Sequence, residues 1–185
     1  MDTRRDELIH LLLEKSVRFG EFILASGARS DFYVDVREVS FHSRGSYLLG
    51  TLLLDRIKPE VQAVGGVALG AVPLVSSVVL AEQFLAGYAD RHGFAIRKDP
   101  KGYGTRMQIA GSGNLKSGMK VAILEDVTTT GDSMFKAIKA AEEFGLVVVQ
   151  CLTVVDREEG AVQALQHGGY ELEALVTRTN LSVAS

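Results

Sequence analysis

The chain reads as an α/β protein: a parallel β-sheet of about five strands flanked by helices, with a small N-terminal helix-and-hairpin hood. Three observations predict this. Segments 61–84 and 120–144 each run from a short apolar stretch through a glycine-containing loop into apolar residues at helical spacing. Val121 to Leu124 are apolar without alternation, the pattern of a strand buried on both faces, and Leu146 to Val155 read as a long, mostly apolar strand. Strand and helix patterns then alternate along the chain, as in βαβ units. Residues 1–40 are assigned to the hood and 41–185 to the core, together one structural unit.

The elements follow in order. Residues 3–16 form an amphipathic helix with Leu8, Leu11 and Leu12 on one side. Phe22 to Leu24 and Phe32 to Val36 are two strands of a hairpin, turning at Ser26-Gly27-Ala28-Arg29, so that Arg29 marks its tip. Ser43 to Ile57 is a helix with Ser43 as N-cap and Pro59 beyond its end. Val61 to Val64 is a short strand, Gly65, Gly66 and Gly70 make a flexible turn, and Val72 to Phe84 continue as a helix. Gly93 to Ile96 is a strand. Residues 97–118 then form a glycine-rich segment carrying Arg97, Lys98, Lys101 and Arg106. After the second strand-loop-helix unit come the strand Leu146 to Val155, a helix from Ala161 to His167 and a last strand from Leu172 to Val176. The tail, TRTNLSVAS, carries no signal.

Composition narrows the function. With 185 residues, 46% of them hydrophobic, the chain can bury one core and a small appendage. A formal charge of −3 with no dominant basic face predicts no nucleic-acid partner. No apolar run reaches about 18 residues, so no transmembrane helix is expected. MDTRRDELIH lacks an apolar signal core, which predicts a cytoplasmic protein. The single cysteine, Cys151, lies in an apolar run and reads as a buried strand residue. No HExxH, CxxC or histidine cluster is present, so no protein-built metal site is expected. His10, His42, His92 and His167 read as surface or structural.

The chemistry concentrates in Lys120 to Ser133, KVAILEDVTTTGDS. Gly131 allows a tight turn, and Thr128 to Ser133 offer hydroxyls and free N–H groups at a helix N-terminus, an anion cradle suited to phosphate. Glu125 and Asp126 would repel that phosphate. They suit vicinal hydroxyls, a cation, or positive charge developing on a sugar. Together these features describe a phosphorylated ribose, at the carboxyl edge of a sheet where open α/β proteins bind ligands. The plain alternative is a strand end with two solvated acids. The mobile, cationic 97–118 segment suits a lid over a diphosphate. Arg157, at another strand end in DREEG, could grip a planar anion with two prongs, or merely pair with Glu158 or Glu159.

The 120–133 stretch resembles the 5-phosphoribosyl-1-diphosphate (PRPP) signature of type I phosphoribosyltransferases. From about Phe19 to Gly160 the chain is similar to orotate phosphoribosyltransferases in four motifs in the same order. The resemblance implies that Glu125 and Asp126 meet the ribose hydroxyls. Val127, Thr128, Thr129, Thr130, Gly131, Asp132 and Ser133 would hold the 5-phosphate. The loop of Gly65, Gly66 and Gly70 resembles the family's pyrophosphate loop. Arg97, Lys98 and Lys101 match the family's catalytic loop, which usually runs RKxxKxHG; Tyr103 stands where the histidine normally is, and is carried over as a PRPP contact. In that family the loop closes over the neighbouring subunit's site, implying a homodimer. Phe32 and Tyr33 correspond to a base-flanking pair, and Thr129 and Arg157 to orotate contacts. Ala25, in LASG, replaces a lysine of the family's hood. Mg²⁺ would arrive bound through PRPP.

The implied reaction joins orotate to PRPP to give orotidine 5′-monophosphate and pyrophosphate, with Lys101, Asp126 and Glu125 catalytic. Two rivals stay open at this point. One is transfer to another nucleobase, against which Arg157 and the hood aromatics argue. The other is a PRPP-sensing regulator, which Tyr103 and Ala25 favour and Arg97, Lys98 and Lys101 disfavour. A Rossmann dehydrogenase lacks its glycine fingerprint.

Overall fold

The computed structural model describes residues 3–23, 29–85, 90–97 and 108–184. Helix α1 (Thr3–Lys15) leads into an antiparallel hairpin of β1 (Val17–Ile23) and β2 (Arg29–Val34). Helices α2 (Arg37–Ser40) and α3 (Ser43–Leu54) follow. The core then alternates through β3 (Ala63–Val67), α4 (Val72–Leu85), β4 (His92–Ile96), β5 (Ile109–Ala110), β6 (Lys120–Thr128), α5 (Asp132–Glu143), β7 (Val147–Asp156), α6 (Ala161–His167), β8 (Leu172–Thr177) and α7 (Arg178–Val183).

The main sheet has six strands in the order β5-β4-β3-β6-β7-β8. Five are parallel, and β5 pairs antiparallel with β4 at one edge. The five parallel strands match the expectation of about five, and β5 adds a sixth whose two residues are too few to leave a periodic signal. The chain passes from β3 outward to β4, then returns to lay β6 on the other side of β3. Strand order reverses there, so the carboxyl ends of β3 and β6 flank the crevice of a topological switch point.

Both faces of the sheet are covered, which is why its central strand β6 reads as an unbroken apolar run from Val121 to Leu124. Successive residues of β6 point to opposite sides. Ala122 and Leu124 pack with Leu8, Leu12, Leu48, Leu53, Leu74 and Leu181, from α1, α3, α4 and α7. Val121 and Ile123 pack with Met134, Ile138 and Leu165, from α5 and α6. A leucine as fully buried as Leu124 contributes about 2–5 kcal/mol over alanine. Cys151 is buried and free in β7, as its surroundings in the sequence imply.

Several local readings change. Gly65 and Gly66 lie inside β3 rather than in a turn. A β-carbon at Gly65 would strike the Phe94 ring, and one at Gly66 the Leu124 carbonyl, so these glycines serve close packing. The N-cap of α3 is His42, whose ring accepts from the Gly45 N–H, not Ser43, and α3 stops at Leu54. Arg29 is paired with Ile23 as the first residue of β2, and β2 ends at Val34. In the tail, Thr177 and Asn180 form a reciprocal capping box that starts α7.

Candidate active site

The carboxyl end of β6 supplies the acids. Glu125, Asp126, Val127 and Thr128 remain in the strand, with Glu125 opposite Thr153 and Thr128 opposite Asp156 in β7. The acid pair therefore sits on a strand, not in the loop read from the sequence, because pairing to β7 persists to its last residue. Consecutive strand positions send the two carboxylates to opposite faces. Glu125 is buried, and Asp126 and Val127 are half-buried.

Asp126 leans against the loop that follows β3. A β-carbon at Gly70 would fall on its carboxylate, so only glycine leaves it that place. Burial pushes the Asp126 carboxyl above its ordinary 3.8, partly offset by its own and the Val127 N–H groups and by the charge of Arg37. Arg37 is itself held two-pronged by Asp35: its Nε donates to Oδ1 at 2.8 Å and its Nη2 to Oδ2 at 2.6 Å. Hydrogen bonding to Arg37 holds the Asp35 carboxyl below its usual range. The sequence reading missed this pair; its available signal was an Asp-x-Arg spacing just past the second hood strand.

The anion cradle follows β6. Gly131 (φ 91°) is the N-cap of α5 and carries no side chain to satisfy the first-turn N–H groups. Those groups point out at the positive end of the helix dipole. Gly131 is buried, Thr129 is half-buried, and Thr130, Asp132 and Ser133 are exposed. The Thr128 hydroxyl is buried and has no hydrogen-bond partner among the described residues.

On the other side of the cradle, the Arg157 N–H donates to the Thr128 carbonyl at 3.0 Å. The Arg157 side chain is buried. Its Nε donates to Glu159 Oε1 at 2.9 Å, its Nη2 to Ser30 Oγ at 3.0 Å, and its guanidinium lies 5.6 Å from the Phe32 ring centroid. The hood is thereby docked on the carboxyl edge of the sheet. Phe32 is fully buried, while Tyr33, on the opposite face of β2, is exposed and stacks 5.7 Å from Phe22.

Arg97 directly follows β4, its N–H donating to the Gln108 carbonyl at 2.9 Å. Lys98, Lys101 and Tyr103, like Ala25, lie outside the described residues. Among the described residues, no group of three or more His, Cys, Asp or Glu side chains is arranged to hold a metal ion. No described helix is long and apolar enough to cross a membrane.

The crevice thus joins an acid, an anion cradle and a buried arginine along one edge, and comparison with known proteins decides what family uses it. The orotate phosphoribosyltransferase of Methanocaldococcus jannaschii is 43% identical over 176 residues, 94% of each chain. That of Rhodopirellula baltica is 40% identical over 179 residues, 92% of this chain and 90% of the relative. The chain belongs to the orotate phosphoribosyltransferase family. A solved orotate phosphoribosyltransferase of Mycobacterium tuberculosis, in complex with PRPP, superposes with a TM-score of 0.78 at 31% identity, covering 97% of this chain and 99% of that one. The orotate phosphoribosyltransferase fold, a helix-flanked sheet with an N-terminal hairpin, is therefore the fold of this chain. No family model matches the sequence. As an orotate phosphoribosyltransferase it transfers the 5-phosphoribosyl group of PRPP to orotate.

Proposed function

We propose that this transfer takes place along the joined ends of β6 and β7, with residue roles as follows. The N–H groups and hydroxyls of Thr128 to Ser133 anchor the 5-phosphate. Asp126, with Glu125, orients the ribose and favours the positive charge that develops on it. Arg157 and Thr129 hold orotate, with Phe32 beneath the arginine and Tyr33 beside it on the hood strand. An orotate ring nitrogen gives up its proton and bonds to the anomeric carbon while the bond from that carbon to the pyrophosphate oxygen breaks, and the electron pair leaves with pyrophosphate, which can take up that proton. Lys101, with Arg97 and Lys98, offsets charge on that leaving group and excludes water, and Tyr103 is a further PRPP contact through its hydroxyl. The observation that carries this reading is the Arg157 to Thr128 hydrogen bond, since it makes the cradle and the base-side arginine neighbours.

Magnesium fits as a passenger of PRPP. Mg²⁺ is usually held by one or two carboxylates together with substrate phosphates, and Asp126 beside the Gly70 backbone is such a carboxylate. When bound, it would neutralise charge on the diphosphate. The homodimer belongs to this proposal too. Tyr47, Leu80, Phe84 and Leu85 are exposed apolar side chains lining a groove of about 280 Å³ between α3 and α4, a face that a second copy would cover. A cytoplasmic setting is kept with it, consistent with the free thiol of Cys151.

The test is the loss of orotate absorbance on adding PRPP, with and without Mg²⁺. Orotate-dependent pyrophosphate release supports the proposal. PRPP binding without orotate consumption would favour a sensor, and turnover with another base but not orotate would replace the substrate.

A further inference from the structure

The C-terminal segment reaches the base side through Arg178. Its Nη2 donates to both carboxylate oxygens of Asp31, each at 2.8 Å, across 147 residues of sequence. Its guanidinium carbon lies 5.4 Å from the Phe32 ring centroid, and that of Arg157 lies 5.6 Å from the same ring. Two cations thus hold one fully buried ring of the hood strand. The turn bearing Arg178 is fixed in its turn. Glu158 accepts from both the N–H and the hydroxyl of Thr179 at 2.7 Å, while its own N–H donates to Asp156 Oδ1 at 2.9 Å. Glu158 adopts φ 60°, an uncommon conformation for a residue with a side chain, and these contacts maintain it. A pocket of about 450 Å³ opens here, lined by Glu21, Arg29, Asp31, Arg157, Glu159 and Arg178.

We infer that Arg178 is a positioning residue for orotate, acting through Asp31 and Phe32 to set the spacing between the hood strand and Arg157. The inference rests on the proposed reading of Arg157 and Phe32 as the base side. Stability alone is a poor reason for the pair. The Asp31 side chain is 74% exposed, and ion pairs that open to water contribute little to folding. What the pair does control is where the second hood strand sits on the ends of β7 and β8.

The test is steady-state kinetics of Asp31→Asn, Arg178→Met, Arg178→Lys and the Asp31→Asn/Arg178→Met double variant, with Arg157→Met alongside. Asp31→Asn, at an exposed position, reads the latch without endangering the fold. Each latch variant should raise KM for orotate about three- to tenfold while KM for PRPP stays within about twofold. The double variant should be no worse than Arg178→Met alone, and Arg178→Lys should recover part of the loss. An unchanged orotate KM in Asp31→Asn and Arg178→Met, or equal rises for both substrates, overturns the inference. If Arg157→Met raises orotate KM and the latch variants do not, only the inference fails. If Arg157→Met leaves it unchanged, the base-side reading fails on its own account.

Discussion

The Arg157 N–H donates to the Thr128 carbonyl at 3.0 Å, immediately beyond the last paired residues of β6 and β7. The proposed phosphate cradle and the arginine proposed for the base side therefore share one backbone edge. A substrate gripped by both must span only that edge, so small displacements there should separate effects on orotate from effects on PRPP.

Arg157 is the first place to look. Its side chain is buried and bonded to Ser30 and Glu159, and it cannot be replaced by a lysine with one point of charge. Arg157→Lys should raise KM for orotate about tenfold or more, with a much smaller change for PRPP. Initial rates over a matrix of both substrates check this. An equal rise for both substrates contradicts the assignment.

Gly66 in β3 and Gly70 in the loop after it should behave differently. Gly66→Ala drives a methyl group into the Leu124 carbonyl inside the sheet, and should cost about 1–3 kcal/mol in denaturant unfolding. Gly70→Ala meets the Asp126 carboxylate first, a side-chain group at the strand end rather than backbone inside the sheet. It should leave the unfolding midpoint nearly unchanged and raise KM for PRPP about tenfold as that carboxylate is displaced.

Asp126 should carry a stability cost for its function. Its folded pKa is raised by burial above the ordinary 3.8, so the folded state binds the proton more tightly than the unfolded chain. Stability from this group therefore falls as pH rises from about 3.8 through the folded value. Asp126→Asn should melt higher than the wild type at pH 7, with the difference shrinking toward pH 4, while kcat/KM drops about a hundredfold. Thermal melts across that pH range, beside kinetics at pH 7, decide it.

Lys101 lies outside the described residues, and its role rests on the family resemblance. Lys101→Ala should lower kcat about a hundredfold without moving the melting temperature. Full turnover in that variant removes the cationic loop from the mechanism.

Much of this was legible in the sequence, for physical reasons that differ by residue. The strand of Val121 to Leu124 shows because burial on both faces leaves no polar interruption, and that of Leu146 to Val155 shows because its apolar residues outnumber Gln150 and Thr153. The helix from Ala161 to His167 shows because glycines bound it, and Gly131 shows because a helix must start there without a side-chain cap. Glu125 and Asp126 hid their strand character, since charge at a strand end looks like loop. Gly65 and Gly66 looked like a turn because the Phe94 ring and the Leu124 carbonyl that demand them are distant in sequence. The Asp31 to Arg178 contact, 147 residues apart, leaves no local pattern at all.

The most direct measurement is the structure of crystals soaked with PRPP and Mg²⁺. The account predicts the 5-phosphate on the N–H groups at the start of α5, the ribose hydroxyls facing the Asp126 side of β6, and the diphosphate along the loop at Gly70. PRPP bound away from the crevice between β3 and β6, or a cradle left without phosphate while PRPP is bound, would contradict it.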